Sequence, residues 1–200
     1  MRFVIATHNP HKLEELSRIL RPLGIEAVTD RDLGVSLTDV DETGTTFAEN
    51  AFLKAEAACK ETGLPAIADD SGLCIDALNG APGVYSARYA PEGERKKTVL
   101  RQLRDVPDDR RGARFVSAIC CVFPNGDTVT SEGVCPGRIG HECRGQNGFG
   151  YDPIFEVEGG RTFAELSPTE KDTISHRGIA LRQFRDHLRA YLKEHEIDDK

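Results

Sequence analysis

The architecture is legible in RFVIATHNPHKLEEL, residues 2–16. Residues 2–6 form a short apolar run of strand composition, and polarity returns at Thr7-His8-Asn9-Pro10. Asparagine is a favoured helix cap because its side-chain oxygen accepts from the first unpaired amides. Proline suits the first helical position, where its missing N–H would have had no partner. Asn9 followed by Pro10 therefore marks a helix start. Leu13, Leu16, Leu20 and Leu23 recur at helical spacing, and Gly24 supplies the stop. The chain opens strand, tight turn, helix.

Downstream, Thr46 and Glu49 have capping-box spacing and predict a second helix. Its apolar stripe is Ala48, Ala51, Phe52, Ala55, Ala58 and Cys59, with Asn50 and Lys54 sharing another face; Gly63 and Pro65 end it. Residues 66–68 and 73–78 read as two strands joined at Asp69-Asp70-Ser71-Gly72, which has turn composition. A helix is expected near Lys97–Arg104. Residues 114–123 and 127–134 flank Pro124-Asn125-Gly126, a hairpin signal, and the glycine-rich 144–152 reads as a loop. Ser167-Pro168-Thr169-Glu170 is another capping box. The last helix begins beside Gly178 and carries Ile179, Leu181, Phe184, Leu188 and Leu192 as its core stripe. This order of elements is α/β, with an antiparallel hairpin in the middle.

The 200 residues show no repeat and no separable linker, so one domain over 1–200 is expected. Hydrophobic residues make up 38% and charged residues 30%, the balance of a soluble globular chain. With 26 basic against 33 acidic residues the formal charge is −7, which argues against nucleic acid or an anionic membrane as partner. A small anionic ligand needs only a few local cations. No run of about 18 apolar residues could span a membrane, and the apolar start is too short for a signal-peptide core. The six cysteines show no CxxC pairing, so free buried thiols and a cytoplasmic location are expected.

Four constellations could carry chemistry. Thr7–Lys12 sets a helix N-terminus, neutral donors and a full positive charge together, an arrangement that suits phosphate. A cation in a first helical turn is unfavourable unless an anion neutralises it. Asp39, Asp41 and Glu42, with Asp69-Asp70, offer hard oxygen ligands of the kind Mg²⁺ takes, one or two at a time, beside substrate phosphates. Gly148-Phe149-Gly150-Tyr151-Asp152 reads either as a stacking surface or as a turn whose aromatics plug the core. Lys171 with Ser175-His176-Arg177 adds donors, Arg177 in a planar fork. GxxxxGK[ST], GxSxG and HExxH are all missing. What remains suits a Mg²⁺-dependent attack on a nucleotide phosphate.

Five stretches in order resemble the inosine triphosphatase (Ham1-like, non-standard purine nucleoside triphosphate pyrophosphatase) family. They are THNPHKLEEL at 7–16, ETGTTFAENAFLKA at 42–55, AIADDSGLCIDALNGAPGVYSARYA at 66–90, GFGYDPIF at 148–155 and AELSPTEKDTISHRGIAL at 164–181. The resemblance implies an elongated mixed β-sheet with helices forming two lobes around a central cleft, a homodimer, and hydrolysis of ITP, dITP and XTP to monophosphate and pyrophosphate. It implies that Thr7, His8, Asn9, Pro10, His11 and Lys12 bind the phosphates and that Lys54 reaches the triphosphate. Glu42 and Asp70 would hold Mg²⁺, Asp70 would also accept a proton, and Ser71 would touch substrate. Phe149, Gly150, Tyr151, Asp152, Lys171, His176 and Arg177 would form the nucleoside pocket. Pro10 has no N–H to offer a phosphate. Two rival readings are a Maf-like pyrophosphatase of other nucleotides and a non-catalytic nucleotide sensor.

Overall fold

A computed structural model describes residues 2–195. In chain order the elements are β1 (Arg2–Ile5), α1 (Pro10–Leu20), β2 (Glu26–Val28), α2 (Asp30–Leu33), α3 (Phe47–Thr62), β3 (Ala66–Ile75), α4 (Arg95–Gln102), β4 (Gly112–Val122), β5 (Thr128–Ile139), β6 (Phe155–Glu156), α5 (Pro168–Ile174) and α6 (His176–Glu194). The strands form one sheet in the order β2-β1-β3-β4-β5-β6. Strand β1 runs parallel to both β2 and β3, pairing Phe3 with Ala27 and Val4 with Ala66. Strand β6 is antiparallel to β5, pairing Phe155 with Ile139. The fold is mixed α/β, as the sequence predicts.

The chain divides into two compact units: Met1–Asp70, Ser117–Gly133 and Gly178–Lys200 in one, Ser71–Val116 and Val134–Arg177 in the other. In the first, successive strand residues serve opposite faces. Phe3, Ile5, Ile67, Ile119, Cys121 and Phe123 pack with Leu16 and Leu20 of α1 and with Ala180, Leu181, Phe184 and Leu188 of α6. Val4, Ala66, Ala68, Cys120 and Val122 pack with Ala51, Ala55, Ala58 and Cys59 of α3. A sheet covered on both faces needs apolar residues at nearly every strand position, hence the unbroken runs at 3–6 and 118–123. The small residues of α3 let that helix lie close.

The second unit is built on aromatics. Phe115 meets Phe155 edge-on at 4.7 Å between centroids and stacks on Phe163 at 5.7 Å. Arg111, fully buried, gives Nε to the Ile139 carbonyl at 2.8 Å, Nη1 to Leu103 at 2.6 Å and Nη2 to Gly140 at 2.7 Å. It thereby satisfies backbone oxygens just past α4 and at the end of β5, groups that would be costly to bury alone.

Several boundaries move from their expected places. Helix α1 stops at Leu20, and Arg21–Leu23 form a separate 3₁₀ turn before Gly24 takes φ +71°. The charged helix is Arg95–Gln102; β4 starts two residues before 114 and stops at Val122, and β5 starts at Thr128 and runs five residues past 134. In α6, Ala180 is buried and Ile179 only half-buried, so Ala180 belongs to the core stripe in place of Ile179. The main correction is at β3. Asp69-Asp70-Ser71-Gly72 is no turn; it lies inside one ten-residue strand, Ala66–Ile75.

All six cysteines are free, five of them buried and Cys143 exposed. Burial pushes the Cys120 and Cys135 thiols up to about 11. Thiolate is the reactive form. Ellman's reagent is therefore expected to count Cys143 alone in the native protein and all six thiols after denaturation. Rapid reaction of more than one native thiol would mean that the core opens to solvent.

Candidate active site

Two clusters of polar side chains hold the expected site residues. The first lies in the unit that contains Asp70. Helix α1 starts as its sequence dictates: Asn9 Oδ1 accepts from the amides of His11 at 3.0 Å and Lys12 at 3.3 Å, and the Asn9 amide bonds Thr7 Oγ1 at 3.2 Å. His8, Pro10 and His11 are exposed, whereas Thr7, Asn9 and Lys12 are half-buried. The anion that neutralises the first-turn cation is Asp69. Lys12 Nζ stands 2.9 Å from Asp69 Oδ1, and Ser117 Oγ donates to Asp69 Oδ2 at 3.3 Å. Asp69, 1% exposed, holds Lys12 in place.

Asp70, one residue on, points to the other face of β3, as strand geometry requires. Helix α3, capped by Thr46 with Glu49 answering in a full capping box, brings Asn50 and Lys54 to it. Asn50 Nδ2 donates to Asp70 Oδ2 at 3.1 Å; Lys54 Nζ is 3.7 Å from Asp70 Oδ1 and 2.7 Å from Glu42 Oε1. Lys54 also donates to the Asp69 carbonyl at 2.9 Å. Burial opposes the Lys54 charge, yet Asp70, Asp69 and Glu42 outweigh it and hold the ammonium above its ordinary pKa. Burial raises the Asp70 pKa above the usual carboxylate range; Lys54 and Lys12 pull it down, Glu42 pushes it up and the Asn50 bond lowers it. A raised carboxyl beside fixed cations is a group poised to exchange a proton.

The donor set also fits Mg²⁺. Among the described residues no three His, Cys, Asp or Glu side chains form a metal cage. Mg²⁺ seldom needs one, since it takes one or two carboxylates and leaves the rest to water and phosphate. Glu42, Asp69 and Asp70 face two ammonium groups, Lys12 and Lys54, which leaves one negative charge over.

The second cluster lies in the other unit. Asp152 and Lys171 form a buried pair, Nζ to Oδ2 at 2.8 Å, with side chains 4% and 6% exposed. The same oxygen accepts the Phe149 amide at 2.8 Å. That turn needs Gly148, at φ +70°, because a Cβ there would strike the Asp152 carboxylate. Lys171 Nζ lies 5.0 Å from the Phe149 ring centre and the Arg177 guanidinium 5.8 Å. Arg177 Nη2 donates to Ser71 Oγ at 2.9 Å. His176 stacks on Phe115 at 4.7 Å.

The two aromatics of the glycine loop part company. Phe149 stays half-buried beneath its cations, with Gly150 exposed beside it. Tyr151 is 4% exposed in the aromatic core, its hydroxyl donating to the Ser86 carbonyl at 2.9 Å. The Phe149 ring stays outside the aromatic core, and the core reading holds for the Tyr151 ring. Asp39 and Asp41 stand on the exposed stretch before α3. Sequence reasoning alone does not assign Asn50 to the site; its place four residues before Lys54 on one helix face is the signal for it.

Residues 3–187 match the Ham1 family. The chain belongs to that family. Among its curated relatives, the dITP/XTP pyrophosphatase of Mycobacteroides abscessus is 50% identical, covering 94% of this chain and 95% of its own. That of Yersinia pestis is 48% identical over 94% and 98%. A Ham1 protein from Coxiella burnetii superposes with a TM-score of 0.86 at 46% identity, covering 95% of this chain and 99% of its own. The Staphylococcus aureus Ham1 protein gives 0.83 at 38% identity over 96% and 100%.

Proposed function

We propose that this Ham1 protein hydrolyses the triphosphates of non-standard purines (ITP, dITP and XTP) to the monophosphate and pyrophosphate, and so clears deaminated purines from the nucleotide pool. The observation that carries this reading is Asp70, its pKa raised, set between Asn50 and Lys54 and beside Glu42. The relatives' names, dITP/XTP pyrophosphatase, support dITP and XTP among these substrates.

In this mechanism Asp70 takes a proton from a water whose oxygen bonds to the α-phosphorus. The bond from that phosphorus to the α–β bridging oxygen breaks, and pyrophosphate leaves with the bonding pair. Lys12 and Lys54, held in place by their carboxylate partners, stabilise the negative charge that grows on the leaving oxygens. Glu42 and Asp70 would hold Mg²⁺, which when bound supplies charge neutralisation at the phosphates. Thr7, Asn9 and the N-terminus of α1 are assigned to the phosphate chain.

Phe149, Lys171 and Arg177 are assigned to the base. Hypoxanthine and xanthine present an acceptor at position 6, where adenine presents an amino donor; guanine shares that acceptor and is told apart only at position 2. Donors such as Arg177 reward the oxo group and leave the amino group facing like partners, which costs most where water is excluded. We also place the protein in the cytoplasm, a reading supported by its free thiols, and as a homodimer, supported by the family resemblance. Among the described residues no helix is long and apolar enough to cross a membrane.

The deciding test is product identification with Mg²⁺ and a panel of ITP, XTP, GTP, ATP and dTTP. IMP and XMP with pyrophosphate, and little from the other three, are expected. Orthophosphate release would overturn the site of attack. A preference for dTTP would overturn the base assignment, and tight ITP binding without turnover would leave a sensor.

A further inference from the structure

We infer that Asn50 is a positioning residue for Asp70 and that turnover depends on its donor half. The inference rests on the reading of Asp70 as proton acceptor. Asn50 is fully buried near the start of α3, and both ends of its amide are used. Its Oδ1 accepts the Gly44 amide at 2.8 Å, and its Nδ2 donates to Asp70 Oδ2 at 3.1 Å. The amide has one orientation that works: a backbone N–H can only donate, so the oxygen must face Gly44 and the nitrogen must face Asp70. The loop is pressed close to enforce this. A Cβ on Gly44 would lie 2.6 Å from Asn50 Oδ1 and 2.7 Å from Glu49 Cβ.

A carboxylate turns easily about its last bond, where the torsional wells are broad and two-fold. One donor fixed on Oδ2 removes that freedom and leaves Oδ1 as the oxygen facing Lys54. Asn50 and Lys54 are four residues apart on one helix, so a single rigid element addresses both oxygens of Asp70. The same amide anchors Gly44, two residues beyond Glu42, and so couples the acidic loop to the strand. Asn50 touches no reacting atom in this scheme; it acts through Asp70.

Asn50→Asp separates the two halves. The new carboxylate still accepts the Gly44 amide but has no donor for Asp70. With the fold intact by thermal melt, kcat is expected to fall about 10²-fold, the scale of a misplaced catalytic group, with KM little changed. A wild-type kcat in this variant overturns the inference, as does a loss confined to KM. Gly44→Ala provides a second route should Asn50→Asp fail to fold, because the added methyl must displace the Asn50 amide. It is expected to lower kcat in the same sense, and an unchanged kcat there overturns the inference too. Asp70→Asn is assayed alongside. If it turns over normally, the assignment of Asp70 falls and takes the positioning role with it. If it is inactive while Asn50→Asp is not, the positioning role alone falls.

Discussion

Asp70→Asn is expected to abolish turnover, a loss of at least about 10²–10⁴-fold from removal of a general base, while nucleotide binding stays measurable. The same substitution should not weaken the metal-free fold at neutral pH. The sign follows from the direction of the Asp70 shift. Burial holds its folded pKa above the ordinary value, with Lys54 and Lys12 only partly offsetting that. Between the unfolded and folded pKa values the native state binds more protons, so stability falls as pH rises through that window. Above the folded pKa the cost of the buried charge is fully present. A neutral amide of the same shape removes it, so the melting midpoint of Asp70→Asn should equal or exceed that of wild type at neutral pH. The advantage should vanish below the ordinary carboxylate range. Near-normal turnover would remove Asp70 from the chemistry, and a large drop in midpoint would mean that its pairing with Lys54 outweighs its desolvation.

Lys171→Met is expected to be the most destabilising single change in the second cluster. Lys171 and Asp152 are both almost wholly buried and 2.8 Å apart. Truncating the lysine leaves Asp152 as a buried charge without its partner, a change worth about 3–5 kcal/mol where such pairs have been broken. The Phe149 and Phe163 rings also lose the ammonium that sits 5.0 and 5.6 Å from their centres. Adding Asp152→Asn to Lys171→Met should recover most of the loss, because the amide oxygen can still accept the Phe149 N–H and no charge is stranded. Urea denaturation of the single and double variants reads this directly. A cost under about 1 kcal/mol for the single change, the worth of an exposed pair, would mean that water already reaches the pair.

What could be read from the sequence was local. Asn9-Pro10, Thr46 with Glu49 and Ser167 with Glu170 mark helix starts through bonds spanning two or three residues, and each holds. Helix α6 starts at His176, two residues before Gly178. Asp69-Asp70-Ser71-Gly72 failed because turn composition describes what a segment prefers when nothing else touches it. Its carboxylates are instead satisfied by Lys12, Asn50, Lys54 and Ser117, residues 16 to 57 positions distant in the chain. Those long-range partners let two adjacent acids sit in a buried strand. Tyr151 and Phe149 show the same limit: alternate residues of one glycine loop go to the core and to the site, and composition alone could not assign them.

The buried thiols bear on where such a catalyst can work. Hypoxanthine and xanthine arise when nitrosating chemistry strips the exocyclic amines from adenine and guanine, and the same reagents attack thiolates. None of the six cysteines is assigned a part in the reaction, and five are buried. Burial keeps those thiols protonated, and the unprotonated form is the one that climbs the oxidation ladder. Five of the six thiols are thereby held back from that chemistry, and Cys143 is the exposed one.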